Sequence, residues 1–360
     1  MDDSAIDLKE FRIVFSKIRE EARRRIDQTK CLICGGEMTS ACNSHTVPRF
    51  ILNYIADNGC LATLHDDNLA LNAILNDKVG INKADTFYAI CRHCDQQVFS
   101  IYESEEKLLA FPSMNKTDKT KLLSAIYMKI NLDNYYKKYY LKATEEVTKE
   151  YAAKMNGGQP NFGTNSEVED LDMKESRDDV IRCKRYIDEN YHAGFKVLYF
   201  KLLPYRISVA CQIHLSPESD LEGNLINDLY NPSPAYRIVT MCLCLFPLKE
   251  KSFVLLFARD QDIPRLSRFI KQFNSLKEAR KQSLLFAMGL TLSEDMFYSS
   301  KLKNILERDP LAAVALGESL PLPFGLLPND DLLIRKAPSC SLRDYLALKN
   351  YLSSEYAIKE

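Results

Sequence analysis

The sequence predicts an α+β chain: a small N-terminal module stapled through cysteines and flanked by helices, then a larger C-terminal α+β domain with mostly antiparallel sheet. Three observations carry this expectation. Four cysteines recur as two identically spaced pairs between positions 31 and 94. Helical apolar periodicity flanks that segment, at 5–28 and from 105 to about 154. Beyond about residue 191, short alternating or continuous apolar runs replace the helical period, as strands require.

Bulk properties bound the rest. At 360 residues with 46% hydrophobic side chains, the chain is long enough for two domains and can bury a real core. The 48 Lys and Arg nearly cancel the 49 Asp and Glu, for a net charge of −1, so contact with nucleic acid has to come from a local patch. The longest apolar run, 238–248, contains Thr240 and Pro247 and is far too short for a membrane span. The opening Met1-Asp2-Asp3 has the wrong sign for a signal peptide, so a soluble, cytoplasmic protein without membrane contact is expected. Eleven cysteines, an odd number, in a reducing compartment read as metal ligands before disulfides.

In chain order, residues 1–30 form an N-terminal amphipathic helix, with Phe11, Val14, Phe15, Ile18 and Ala22 on one face and Arg19, Arg23, Arg24 and Arg25 on the other. Those arginines are either a solvated face or phosphate contacts. Residues 31–105 hold the cysteine module. The segment 106–153 is helical, basic and tyrosine-rich. Its lysines and interleaved tyrosines suit a nucleic-acid backbone, or else the tyrosines pack inward while the lysines stay wet. Residues 154–176, rich in glycine and acid, read as a linker or long loop. The remainder, 177–360, reads as a sensor or regulatory domain. It comprises a short helix at 177–191, a half-buried strand at 207–215, a hairpin of buried strands at 237–247 and 252–258, helix over 263–308, a proline-punctuated stretch at 310–338 and a last helix from Ser341 to Tyr356.

The chemistry concentrates in the module. Cys31-Leu-Ile-Cys34-Gly-Gly and Cys91-Arg-His-Cys94 are two Cys-x-x-Cys pairs separated by 56 residues (35–90). Two such pairs supply four thiolates, the complement of a closed structural zinc site, and the glycines suit a knuckle whose backbone N–H groups turn toward sulfur. Between the pairs lies Asn43-Ser44-His45-Thr46-Val47-Pro48-Arg49-Phe50.

The order of CLICGG, SHTVP and CRHCD, within about 75 of 360 residues, resembles the HNH nucleases, the treble-clef branch of the ββα-metal (His-Me finger) superfamily. The resemblance implies a zinc-stapled treble clef with His45 as the general base for water in phosphodiester hydrolysis. It implies Asp95, directly after Cys94, as a catalytic ligand of Mg²⁺ or Mn²⁺, with Glu103 a further candidate on the same helical face as Asp95 and Phe99. Two departures stand out. Ser44 occupies the place before the base where the family commonly has a metal ligand, and Thr86 replaces the usual asparagine, with Asn82, Asp85 and Asn68 as stand-ins. DNA is the implied substrate, with Arg49, Lys129, Lys137 and Lys138 as candidate contacts. The layout is similar to effectors of bacterial antiviral defence or mobile-element systems, which work with a protein partner such as an ATPase.

Other thiols and imidazoles have plainer readings. Cys42 and Cys60 are alternative zinc ligands or ordinary thiols. His65, beside Asp66 and Asp67, reads as a loop residue, and His93 as an outward-pointing side chain within reach of phosphate. Cys242 and Cys244 share a strand face and read as core, while His214 falls on the polar face of its strand. No phosphate-binding loop, dinucleotide fingerprint or nucleophile elbow is present. The competing expectation is a non-catalytic zinc protein that recognises nucleic acid or assembles with a partner enzyme; oligomeric state is left open by the sequence.

Overall fold

The computed structural model describes residues 8–26, 29–64, 76–154, 166–229, 231, 233–318 and 341–359. It is a mixed helix and sheet structure whose strands pair antiparallel throughout.

The centre is a seven-stranded sheet in the order β3-β2-β9-β6-β7-β8-β5. Its strands are β2 (Cys60–Thr63), β3 (Asn76–Gly80), β5 (Phe195–Leu203), β6 (Val209–Leu215), β7 (Met241–Pro247), β8 (Ser252–Arg259) and β9 (Met296–Tyr298). The expected hairpin is β7–β8, closed by a bond from the Leu248 amide to the Lys251 carbonyl. Both strands are buried along their whole length because the sheet is covered on both faces. Met241, Leu243 and Leu245 face one core, which α7 (Ile263–Ser275) and α8 (Glu278–Leu292) cover; Cys242, Cys244 and Phe246 face the other. Period-two side-chain alternation divides one strand between two cores.

That second core is closed by α3 (Arg92–Phe99), α4 (Glu105–Ala110) and the 39-residue α5 (Lys116–Lys154), through Phe99, Leu108, Leu122 and Ile126. The sheet also takes β2 and β3 from the cysteine segment, joined to β6 through the three-residue β9. The sequence-based helix over 263–308 is therefore interrupted by a strand. The α8–β9 turn is tight: a Cβ on Gly289 would fall 2.5 Å from Met296 Sδ.

Three further expectations are revised. The β6 strand is not half-exposed: Gln212 is buried and accepts from the Tyr102 hydroxyl (3.1 Å), while His214 meets Asn134 (3.2 Å). Its polar face packs on helices with matched polar partners. Residues 166–176 are the start of α6 (Ser166–Asp188), not linker; Asp170 and Asp172 pair with Lys142 and Lys138 of α5, so charge complementarity replaces the apolar stripe. The final segment is not a helix. It holds two 3₁₀ turns, Asp344–Ala347 and Ser354–Tyr356, laid over α8 by the buried Tyr345, Tyr351 and Leu352. Residues 319–338 of the proline-punctuated stretch and 155–165 of the expected linker lie outside the described residues.

At the N-terminal end, α1 (Leu8–Arg25) packs on α5 through Ile18 and Ala22 against Ala143 and Val147. Part of its basic face meets that helix too: Arg25 forms a two-pronged pair with Glu150 (2.6 and 2.8 Å) and Arg19 donates to the Tyr140 hydroxyl (3.2 Å), while Arg24 pairs with Glu20 within α1. Of the shorter helices, α2 (Arg49–Asn53) adds Ile51 and Leu52 to the second core, whereas α9 (Ser300–Leu306) and α10 (Pro310–Glu318) pack in the first through Leu302, Leu306, Ala312 and Ala315.

Candidate metal centre and active site

The two cysteine pairs converge. One sulfur from each of Cys31, Cys34, Cys91 and Cys94 lies within 4.8 Å of all the others, a spacing compatible with a single zinc ion. The first pair sits in a tight turn: the Gly35 amide donates to the Cys31 carbonyl (2.8 Å), and the Cys31 amide to the Gly36 carbonyl (2.9 Å). Gly35 takes φ +69°, where a side chain would be strained. The second pair opens α3, with Cys91 as its N-cap; Cys91 Sγ accepts from the Cys94 amide, and Cys31 Sγ from the Cys91 amide (3.4 Å each). Burial pushes the Cys31 and Cys94 thiols up, whereas the Gly36 amide draws Cys34 down. This donor set, with its amide bonds to sulfur, fits zinc. Cys42 and Cys60 stand outside the cluster. Cys42 Sγ instead reaches Asp95 Oδ2 (3.7 Å).

Beside the thiols, β1 (Ser44–His45) pairs with β4 (Thr86–Phe87), and α3 packs against them. The Ser44 hydroxyl donates to Asp95 Oδ1, so the serine that departs from the family pattern touches the aspartate on α3. His45 Nε2 donates to the Ile81 carbonyl (2.9 Å). A carbonyl can only accept, so this bond fixes the Nε2–H tautomer and leaves Nδ1 as the basic nitrogen. Burial lowers the His45 pKa; Lys129 and Arg49 push the same way, and Glu103 opposes them. His45, Glu103, Lys129 and the exposed Arg49 therefore lie in one electrostatic neighbourhood.

The expected nucleic-acid lysines are placed differently from the sequence reading. Lys129 is 2% exposed, bonds to Glu103 and lies 4.5 Å above the Phe99 ring, so it is an interior ammonium and not a phosphate-facing one. Glu103 is correspondingly engaged by a lysine. Lys138 pairs with Asp172 (3.3 Å), and Lys137 with Asp133 (2.6 Å) and Asp295 (2.7 Å). Apart from Asp133, one turn back on α5, the acidic partners of this stripe are remote in sequence: Glu103 after α3, Asp172 on α6 and Asp295 in the α8–β9 turn. Of the four candidate contacts, Arg49 alone is exposed.

Sequence reasoning missed a second constellation. Asp85, Asp133 and Asp295 bring carboxylate oxygens within 4.8 Å of one another around Lys137. Burial raises Asp85 well above the ordinary carboxylate range and raises Asp133 to about 6, although Lys137 opposes both. Burial alone would lower Lys137; Asp133, Asp295 and Asp85 override it and hold the ammonium well above its usual value. Asp85 was visible near the expected asparagine, but no local signal joins it to residues 133 and 295.

Asp133, Asp295 and Lys137 line a cavity of about 730 Å³ between α5, α6 and β6, together with His214, Arg237 and Thr240. The amide nitrogen of Asn134 donates to His214 Nδ1, so Nε2 carries the proton, buried and without a partner. Burial holds His214 down to about 3, which keeps the ring neutral. Next to it, buried Asp179 accepts from Tyr127 (3.1 Å), Arg237 (2.6 Å) and Arg259 (3.1 Å), tying α5, α6, β8 and the segment before β7 together. Cys242 and Cys244 are core residues, as read from the sequence. His65, Asp66, Asp67 and Asn68 lie outside the described residues.

No family model, curated protein or solved structure matches this chain. Among the described residues, no helix is long and apolar enough to cross a membrane.

Proposed function

We propose that the chain is a zinc-stapled, metal-dependent endonuclease of the HNH type, a treble-clef module that hydrolyses phosphodiester bonds in DNA. The observation that carries this reading is the bond from His45 Nε2 to the Ile81 carbonyl. A neutral imidazole, fixed in one tautomer with Nδ1 as its basic nitrogen, is what proton removal from water near neutral pH requires. The carbonyl also orients the ring and strengthens Nδ1 as a base, since the proton it accepts is not the one being moved.

Each neighbouring side chain has a role in this reading. Asp95, positioned by Ser44, is the carboxylate that would hold a divalent cation, and Mg²⁺ or Mn²⁺ there would neutralise charge on the phosphate and the leaving oxygen. Exposed Arg49 neutralises a neighbouring phosphate of the strand. Lys129 pairs with Glu103 beneath the site and fixes its place.

Asp95→Ala protein that retains its zinc is expected to lose Mg²⁺- and Mn²⁺-dependent nicking of supercoiled DNA. Undiminished nicking by that variant would remove Asp95 from the mechanism. A second reading, a non-catalytic zinc platform for nucleic acid or a partner enzyme, is favoured by the in-chain partners that Asp95 and Glu103 already have. Nicking by the wild type would set that reading aside.

A further inference from the structure

The acidic constellation carries a separate inference that does not depend on His45. Its three members come from distant segments: Asp85 from the turn before β4, Asp133 from within α5, and Asp295 from the turn between α8 and β9. Asp85 and Asp133 are 4% and 2% exposed. The cation among them is Lys137, at 2.6 Å from Asp133, 2.7 Å from Asp295 and 3.8 Å from Asp85. Three carboxylates share a single ammonium where burial strips away water, an arrangement that a further positive charge would compensate better.

The hydrogen bonding is incomplete as well. Oδ1 of Asp85 and Oδ1 of Asp133 are buried and have no hydrogen-bond donor. A residue outside the acidic set points the same way. Thr46 is 1% exposed, and its hydroxyl lies against the Asp133 carboxylate without a well-aligned hydrogen bond to it. The Thr46 and Val47 amides are already committed to Asp85 (2.9 Å each), which holds this corner of the chain against the triad.

We propose that Asp85, Asp133 and Asp295, with the Thr46 hydroxyl, form a site for a hard divalent cation, in which the Lys137 ammonium occupies the ion's place until the ion arrives. All the donors are oxygen, the set that suits Mg²⁺, Ca²⁺ or Mn²⁺ and not the thiolate-seeking metals. The route in is the 730 Å³ cavity, which Asp133, Asp295 and Lys137 all line. The Lys137 ammonium is buried, but its side chain is 31% exposed and lines that cavity, so the ammonium would swing into it as the ion enters. Exchanging the ammonium for a doubly charged ion compensates one carboxylate more. The ion would clamp β4 and the chain after β1 onto α5 and the β9 turn, and so stiffen the strand that carries His45.

The test is calorimetric titration of zinc-loaded protein with MnCl₂ and, separately, CaCl₂, carried out in an Asp95→Ala background so that any ion at the nuclease pair is absent. A saturable step is expected to persist there and to weaken at least about tenfold when Asp295→Asn, the least buried ligand, is added. Asp172→Asn, on the same cavity but paired with Lys138, is expected to leave the step unchanged. Lys137→Met, which removes the competing ammonium, is expected to bind Mn²⁺ more tightly than its parent, and Mn²⁺ is expected to restore its Tm. No saturable binding in the Asp95→Ala background, equal affinity with and without Asp295→Asn, or a Lys137→Met protein that Mn²⁺ does not stabilise would overturn the proposal and leave Lys137 as the permanent counter-ion.

Discussion

Lys129, in the middle of α5, is 2% exposed and sets its ammonium on Glu103, in the turn that follows α3. The pair fastens the cysteine module to the long helix and places a charged couple next to His45. Removing the lysine leaves a carboxylate in a partly dry site. Lys129→Met is expected to destabilise the fold by about 2–3 kcal/mol, below the usual cost of breaking a fully buried pair because the Glu103 side chain is 27% exposed. Chemical denaturation of the two single variants and the Lys129→Met/Glu103→Gln double variant checks this: the double should cost less than the sum of the singles.

The cysteine cluster predicts one zinc per chain, measurable by elemental analysis of the purified protein. Cys31→Ser is expected to lose the metal and to destabilise the module by several kcal/mol, roughly what a structural site contributes on folding. Cys42→Ser should keep the zinc, since Cys42 lies outside the four-sulfur cluster. Zinc retained by the Cys31 variant would contradict the assignment.

Much of this was readable in the residues themselves. The paired Cys-x-x-Cys spacing announced the sulfur cluster, the β7–β8 hairpin followed from two continuous apolar runs, and α1 and α5 from their periodicity. What stayed hidden depends on partners remote in sequence. Asp170 and Asp172 looked like linker acids because the lysines they pair with are on α5. Lys129 and Lys137 looked like a wet basic stripe because Glu103 and Asp295 meet them only in the folded chain. Three-residue β9 has too little sequence to display a strand period, yet it joins the cysteine segment to the main sheet.

Acid stability follows from His214. Its folded pKa is held down to about 3, against an ordinary value of 6.5. Below 6.5 the unfolded chain takes up a proton that the folded chain refuses, so stability falls as the pH drops from 6.5 toward 3, by at most about 1.4 kcal/mol per pH unit for this one group. Asp133, raised from 3.8 to about 6, acts with the opposite sign: its contribution is complete below 3.8 and fades as the pH rises through 6. On denaturation between pH 4 and 8, the wild type should therefore lose more stability on acidification than His214→Gln. Parallel curves would show that His214 charges freely in the folded state.

The buried acid Asp179 predicts a large, non-catalytic effect. It accepts from Tyr127, Arg237 and Arg259, and Arg259 is itself 4% exposed. Asp179→Ala strands those donors and is expected to cost about 3–5 kcal/mol. Thermal unfolding checks it, and the zinc content of whatever protein remains folded should be unchanged.

The most direct measurement is nicking of supercoiled plasmid by wild type and by His45→Ala, in Mn²⁺ across pH 5 to 9, with zinc content and folding confirmed for both. The proposed function predicts cleavage by the wild type that is lost in the variant. Because burial lowers the His45 pKa, the acid limb of the wild-type profile should fall below 6.5. Equal cleavage by the two proteins, or none by a folded, zinc-loaded wild type, would contradict the assignment of His45 as a base that works unaided.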